Sequence, residues 1–110
     1  MGKQGDKLTS ESSNAAQDIQ NRLATLGDIR VKKMFGGYGV FEEDKMFALI
    51  DSSGRVFFKV GETNQAKFEE AGSEKHARMP YFSVPERVLG DDDLFEEWAR
   101  LSIRISKGGK

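Results

Sequence analysis

Residues 30 to 60 consist of four short runs rich in β-branched and aromatic residues, each separated from the next by a turn signal. The runs are RVKKMF, YGVFE, KMFALID and RVFFKV, and the interruptions are GG, ED and SSG. Connections this short leave no room for crossover helices, so consecutive strands must pair antiparallel. The segment therefore predicts a four-stranded antiparallel meander. The loop at 52–54 leaves two registers open for the fourth strand, because loops of two and of three residues turn opposite faces of that strand toward the core.

The acidic dipeptide at 43–44 predicts the register of the central hairpin. As a two-residue turn it places Glu42 opposite Lys45 and Phe41 opposite Met46. The first pair is a cross-strand ion pair and the second is an apolar contact, and both favour this register.

The GGYG stretch admits two interpretations, a phosphate-binding loop and a hairpin turn. It has neither the P-loop spacing nor a helix directly after the glycines, and phosphate loops need one or both. We interpret Gly36 and Gly37 as a tight turn that uses the positive φ angles of glycine. Gly39 lies inside a strand, where glycine marks a bulge or the close approach of a large neighbour, with Met34 across the ladder as the candidate.

Helices are predicted on both sides of the meander. An apolar stripe predicts a first helix over about 9–26, ended by Gly27. A second helix is predicted over about 63–71, with Thr63 as its N-cap. The stripe of the first helix consists of Leu8, Ser12, Ala15, Ala16, Ile19, Leu23 and Leu26.

The last third of the chain predicts one or two edge strands and then a helix. Pro80 and Pro85 interrupt the extended stretch KHARMPYFSVP and confine it to the edge of the sheet, because proline cannot donate to an inner ladder. The last helix is predicted to begin at the acidic run 91–93, which we interpret as helix capping, since acid at its start and base at its end complement the helix dipole. Its stripe is Leu94, Phe95, Trp98, Leu101 and Ile105, which leaves Ile103 on the polar side.

These elements predict one α+β domain over residues 8–106, with a loose amino terminus at 1–7 and a loose tail at 107–110. Their order is helix, strands, helix, one or two strands, helix. The length of 110 residues allows one core but not two.

Composition excludes several function classes. Lys and Arg number 17 against 18 Asp and Glu, so no global positive field attracts nucleic acid or an acidic membrane. The absence of cysteine excludes disulfide frameworks, thiolate metal sites and cysteine nucleophiles. We find no apolar run of bilayer length and no signal-peptide core, and we therefore expect a cytoplasmic protein without membrane contact.

No motif for catalysis or metal binding is recognisable. His76 is the single histidine and has no carboxylate or cysteine pattern around it, so we interpret it as a loop or edge-strand residue. The acidic run 91–93 lacks the ligand spacing of an EF-hand, and no serine lies in a nucleophile elbow. We expect no catalytic residue, no metal site and no cofactor.

Both faces of the predicted sheet are apolar, and this excess predicts an interaction surface. A sheet covered by helices on one side is usually polar on the other, so the second face must meet a helix, a second subunit or a partner. The first face contains Tyr38, Val40, Phe47, Leu49, Val56, Phe58 and Val60. The second contains Met34, Phe41, Met46, Ala48 and Ile50, of which Met34, Phe41, Met46 and Ile50 form the candidate interaction surface.

Arg30, Lys32 and Lys33 form one dense basic cluster beside aromatic residues. It is a candidate nucleic-acid patch, and the alternative is a solvated strand whose charges protect a sheet edge. A small-ligand pocket is the third hypothesis and depends on a cleft left by the two apolar faces.

Several blocks of the sequence resemble the amino-terminal domain of the TfoX/Sxy competence regulators, in the order of that family and over about residues 30 to 102. The resemblance implies a two-layer α+β sandwich without catalytic residues and a role in bacterial transcription regulation. It also implies the cyclic-AMP receptor protein or RNA polymerase as a partner. A homodimer is the alternative. Full-length members carry a second, helical domain that this sequence does not include. The blocks are MFGGYGVF (34–41), MFAL (46–49), FKV (58–60), Phe68 with Ala71 and Gly72, PYFSVPE (80–86), and Leu94 with Trp98 and Ala99.

Overall fold

The predicted meander forms, and a fifth strand extends it into one antiparallel sheet with the order β1-β2-β3-β4-β5. The computed structural model describes residues 10–34 and 36–108. The predictions for 1–9, Phe35 and 109–110 therefore lie outside the described residues. The strands are β1 (Ile29–Met34), β2 (Gly37–Glu42), β3 (Lys45–Ile50), β4 (Val56–Lys59) and β5 (Tyr81–Ser83).

The helices of the described chain confirm the α+β class. Those predicted for the first, second and last positions form, and a one-turn helix after Pro85 was not predicted. Proline at that point favours a helix start because its φ angle is already close to the helical value. The helices are α1 (Ser10–Arg22), α2 (Gln65–Glu70), α3 (Glu86–Leu89) and α4 (Asp92–Ser106), and a 3₁₀ turn at Ala24–Leu26 follows α1.

The register predicted for the central hairpin is confirmed, but a β-bulge follows it. Phe41 pairs with Met46, whereas its neighbour Val40 pairs with Ala48, so Phe47 is an extra residue on β3. A bulge of this kind shifts the alternation of side chains by one position. Phe47 and Ala48 both lie in the main core, and Leu49 points to the opposite face.

The prediction that Gly36 and Gly37 form the turn is wrong in its second residue. Gly37 pairs with Met34 and belongs to β2, while Gly36 has a φ angle of +76°. Gly37 is required for a different reason: a Cβ atom there would collide with the carbonyl oxygen of Ile50.

A backbone hydrogen bond between Asp51 and Arg55 closes a loop of three residues, 52–54, between β3 and β4, which resolves the alternative left open by the sequence. Asp51 N–H donates to the Arg55 carbonyl at 3.0 Å, and Gly54 has a φ angle of +88°. The Asp51 carboxylate accepts from Ser53 N–H, Ser53 Oγ and Arg55 N–H. Although partial burial acts to raise the pKa of Asp51, these hydrogen bonds hold it below its ordinary value of 3.8.

Asp51→Ala is expected to lower the free energy of unfolding by about 1 to 2 kcal/mol at neutral pH, because three backbone and hydroxyl donors lose their acceptor. The pKa of Asp51 is depressed in the folded state, so its stabilisation is present above 3.8 and is lost as the pH falls through the folded pKa. Urea denaturation at neutral pH and below pH 3.8 measures this loss. A wild-type-to-variant difference that stays constant over this range would contradict the assignment. Asp44→Ala, in the neighbouring turn, is the control and should change stability by less than about 0.5 kcal/mol.

The helices pack together on one face of the sheet and enclose the main core. Asp91 caps α4 as predicted, accepting from Leu94 N–H at 3.1 Å. The buried stripe of α4 is displaced from the predicted one: Leu101 and Ile105 are only half-buried, whereas Ile103, placed on the polar side from the sequence, is only 8% exposed. The main core is Ala16, Ile19, Leu23, Ile29, Val40, Phe47, Ala48, Ile50, Val56, Phe58, Val60, Phe68, Val84, Val88, Phe95, Trp98, Ala99 and Ile103.

The predicted N-cap of α2 is wrong by one residue. Asn64, not Thr63, precedes the helix. Its Oδ1 accepts from Gly61 N–H at 2.8 Å, and its Nδ2 donates to the Lys59 carbonyl at 3.1 Å. The buried amide therefore holds the turn between β4 and α2 rather than the first turn of the helix.

The end of α4 is tied to the central hairpin by an ion pair. Lys107 Nζ contacts the carboxylate of Glu42, which is buried, and lies 3.5 Å from Glu43 Oε1. The hydrogen bond to Glu42 raises the pKa of Lys107. A Cβ atom on Gly27 would collide with the same Glu42 carboxylate, so this glycine gives the buried acid its space.

Candidate functional site

The face of the sheet opposite the helices is covered over only part of its width. A second apolar cluster on this face contains Leu49, Phe57 and Tyr81, with Met46 and Met79 packed against it. None of these residues belongs to a helix. The cover comes from the segment at 73–80, which precedes β5.

Two contacts fix this covering segment. The His76 ring packs edge-on against Phe57, with ring centroids 4.8 Å apart, and the backbone N–H of His76 donates to the Tyr81 carbonyl at 2.8 Å. Tyr81 Oη donates to the Met46 carbonyl at 3.2 Å, and burial raises the pKa of Tyr81 to about 12. The apolar side chains of β4 and β5 on this face are therefore covered by another segment of the same chain.

The part of this face formed by β1, β2 and the start of β3 carries a cluster that we call the methionine patch: Met34, Phe41 and Met46 around Gly39. Each of the three side chains is half-buried. A Cβ atom placed on Gly39 would lie 2.7 Å from Met34 Sδ, 2.9 Å from Met46 Sδ and 3.1 Å from Phe41 Cε1. The missing side chain of glycine thus lets three strands bring these side chains together, which confirms the predicted approach of Met34.

The chemistry of the methionine patch suits protein recognition. Methionine is flexible and polarisable and adapts to partners of different shape. The ring of Phe41 adds rigid apolar area, and Lys32 Nζ lies 5.0 Å from its centroid. A partly exposed apolar cluster beside a cation is typical of an interaction surface.

The placement of Ile50 on the second face is wrong. Ile50 is 1% exposed and lies in the main core, because the bulge at Phe47 reverses the alternation predicted for the end of β3. Leu49 takes its place on the second face. The covering segment was not predicted from the sequence, and neither was Met79 as its apolar anchor. The dipeptide at 79–80, a methionine before a proline that starts an edge strand, was the available signal.

The structure separates the predicted basic cluster into two faces. Arg30 and Lys32 pair with Phe41 and Gly39 and so share the face of the methionine patch, whereas Lys33 pairs with Tyr38 on the helix side. Arg30 forms an ion pair with Asp28, with 3.1 Å between Nη2 and Oδ2. The three charges thus do not form one surface for a nucleic-acid backbone.

A groove of about 320 Å³ lies between the end of α2 and the start of α3 and is lined by polar and apolar groups, among them Arg55, Ser73, Ser83 and Glu86. None of the residues that line it belongs to the methionine patch. The described residues contain no cluster of three or more acidic or histidine side chains arranged to hold a metal ion. No helix in the described part of the chain has the length and apolar character needed to cross a bilayer.

Comparison with known proteins assigns the family. The model of the TfoX N-terminal domain matches residues 21–106, which include every strand and the helices α2 to α4. The chain belongs to the TfoX N-terminal domain family. The matched range also contains the whole methionine patch, so the patch is part of this TfoX N-terminal domain.

One curated relative of the domain is the DNA transformation protein TfoX1 of Aliivibrio fischeri (strain ATCC 700601 / ES114). The two are 38% identical over 84 residues, which cover 69% of this chain and 40% of the relative. The chain therefore spans well under half the length of the curated relative that it matches.

Proposed function

We propose that this TfoX N-terminal domain is a non-enzymatic regulatory module of bacterial competence, which acts by binding a protein partner at the methionine patch. The family and the transformation protein among its relatives support the regulatory role. The observation that carries the binding role is the convergence of Met34, Phe41 and Met46 on Gly39, on a face that no described helix covers.

The partners to test are the cyclic-AMP receptor protein and RNA polymerase of the same bacterium, which the family suggests, and a second copy of the domain. Binding by the purified proteins can be measured by biolayer interferometry, and self-association by sedimentation. These measurements separate a heterologous partner from a homodimer.

Phe41→Lys and Met46→Lys are each expected to weaken partner binding about tenfold or more, because a charge would be introduced into the centre of an apolar contact. Leu101→Lys is the matched control: it adds the same charge at a half-buried apolar residue on the helix layer and should leave affinity unchanged. Circular dichroism establishes that each variant is folded.

Two outcomes would refute the proposal. In the first, the domain is a monomer that binds neither candidate protein. In the second, Leu101→Lys weakens binding as much as the patch variants do. A dimer that both patch variants dissociate would instead assign the methionine patch to a second copy of the chain.

A further inference from the structure

The strand β1 ends the sheet and presents main-chain groups that the described residues do not pair. Glu43 N–H donates to the Asp28 carbonyl, which fixes the alternation along the β1–β2 ladder. In an antiparallel ladder the main-chain groups of alternate residues face the partner strand. Those of Ile29, Val31 and Lys33 therefore point away from β2.

Among the residues that the structure describes, a partner is present at one end of this outward row. Gln20 Nε2, from α1, donates to the Ile29 carbonyl at 3.0 Å. The N–H and C=O groups of Val31 and Lys33 have no such partner among the described residues. We call these four groups the open edge of β1. An exposed row of this kind is a template for an additional strand.

The charged side chains beside the open edge indicate which kind of added strand would bind there. Arg30 is engaged by Asp28, whereas Lys32 and Lys33 are exposed and lie within ion-pair distance of no carboxylate in the described part of the chain. Lys32 projects from the methionine-patch face and Lys33 from the other. A strand laid along β1 would therefore meet, on each of its faces, one lysine that no described carboxylate pairs.

We infer that the partner of the methionine patch contributes an extended acidic segment, which adds a sixth strand to the sheet along the open edge of β1. This inference rests on the proposed function. Two consecutive acidic residues of the segment lie opposite Lys32 and Lys33, and an apolar residue two positions away on the same face as Lys32 lies beside Met34. Backbone hydrogen bonds then supply affinity, and the acidic pair supplies specificity.

Charge disfavours a second copy of the chain at this edge. Antiparallel pairing of two β1 strands would bring the cations of Arg30, Lys32 and Lys33 close to their own counterparts, and like charges across a ladder are destabilising. A nucleic-acid backbone fits the edge less well than a peptide does. Its phosphates are acceptors only, whereas the carbonyls of Val31 and Lys33 require donors.

The test uses the whole chain and two short capped peptides as probes. One peptide has two consecutive glutamates between valine and threonine residues, and the other has lysines in place of the glutamates. In an NMR titration of ¹⁵N- and ¹³C-labelled protein, the acidic peptide is expected to shift the amide signals of Val31 and Lys33 and the methyl signal of Met34. Absence of these shifts at millimolar peptide, or equal binding by the lysine peptide, overturns the inference.

Variants separate the charge from the hydrogen bonds. Lys32→Glu is expected to weaken acidic-peptide binding roughly tenfold, whereas Lys75→Glu, an exposed lysine beyond the opposite sheet edge, should leave it unchanged. Lys33→Pro removes an outward N–H that β1 does not use, and such prolines are tolerated on edge strands. It is expected to abolish binding, while Lys33→Ala weakens it only severalfold. Equal binding by Lys33→Pro and Lys33→Ala contradicts strand addition.

The same variants distinguish failure of this inference from failure of the proposed function. If Phe41→Lys disrupts binding of the protein partner and Lys33→Pro does not, the methionine patch is the interface and the open edge is not. If a short DNA duplex binds more tightly than the acidic peptide and loses affinity in Lys32→Glu, the edge is a nucleic-acid contact and the inference is wrong.

Discussion

Gly37→Ala is expected to destabilise the domain by about 3 kcal/mol or more, or to prevent folding, since its Cβ atom would occupy the position of the Ile50 carbonyl oxygen. The obstacle is main chain of the neighbouring strand, which cannot rotate away as a side chain can. Relief requires that β2 and β3 separate at this point. Urea denaturation followed by circular dichroism measures the loss.

Gly39→Ala is the matched control for this prediction. The same atom is added two residues further along β2, but there it meets the sulfur atoms of Met34 and Met46, at the flexible ends of their side chains. These side chains can change rotamer, so the cost should be below about 1 kcal/mol. If the two glycine variants are equally stable, the close approach of Gly37 to β3 is refuted. Gly39→Ala also spreads the methionine patch, so it should reduce partner binding in a protein that is still folded.

Phe58→Ala is expected to lower the free energy of unfolding by about 3 to 5 kcal/mol, because it leaves a cavity at the centre of the main core. Phe58 is fully buried, and its ring centroid lies 5.3 Å from that of Phe95 and 6.3 Å from that of Phe47. The ring therefore joins α4 to the sheet. A loss of this size is a large part of the total stability of a domain of this length, and thermal or chemical denaturation will detect it.

Phe41→Ala provides the comparison on the other face. Its ring is half-buried in the methionine patch, so its removal should cost about 1 kcal/mol of stability while it weakens partner binding. Phe58→Ala is thus expected to reduce mainly stability, and Phe41→Ala mainly partner binding. Equal destabilisation by the two variants would mean that the methionine patch is part of the folding core and would contradict its role as an open surface.

Local chemistry made several elements predictable. The turn at 43–44 set the pairing of Phe41 with Met46, because a two-residue hairpin loop determines its own register. The start of α4 was predictable from Asp91, whose carboxylate caps the first turn. Met34, Phe41 and Met46 were predicted on the second face, and all three lie there. Met46 precedes the bulge in β3, and the other two lie on β1 and β2, so the change of alternation does not affect them.

The errors arose where packing between distant segments overrides a local pattern. No signal in KMFALI marks Phe47 as the extra residue, because the bulge depends on how β3 packs below α4, where it brings the consecutive residues Phe47 and Ala48 into the core. Ile50 and Ala48 moved to the helix side as a result. The burial of Ile103 likewise depends on how α4 lies across the sheet, which the period of its own sequence does not specify closely enough.

The sequence by itself determined the order of the elements, the central hairpin and the apolar excess on the second face, because alternation and turn residues act between near neighbours. The stretch at 34–41 also carried the family resemblance, and the match over 21–106 confirmed it. Only the tertiary structure decided which part of that face stays open. The segment at 73–80 packs His76 against Phe57 and Met79 against the second apolar cluster, whereas the methionine patch lies on β1, β2 and the start of β3. Contacts between residues far apart in the chain depend on the relative position of whole elements, and no local pattern encodes that position.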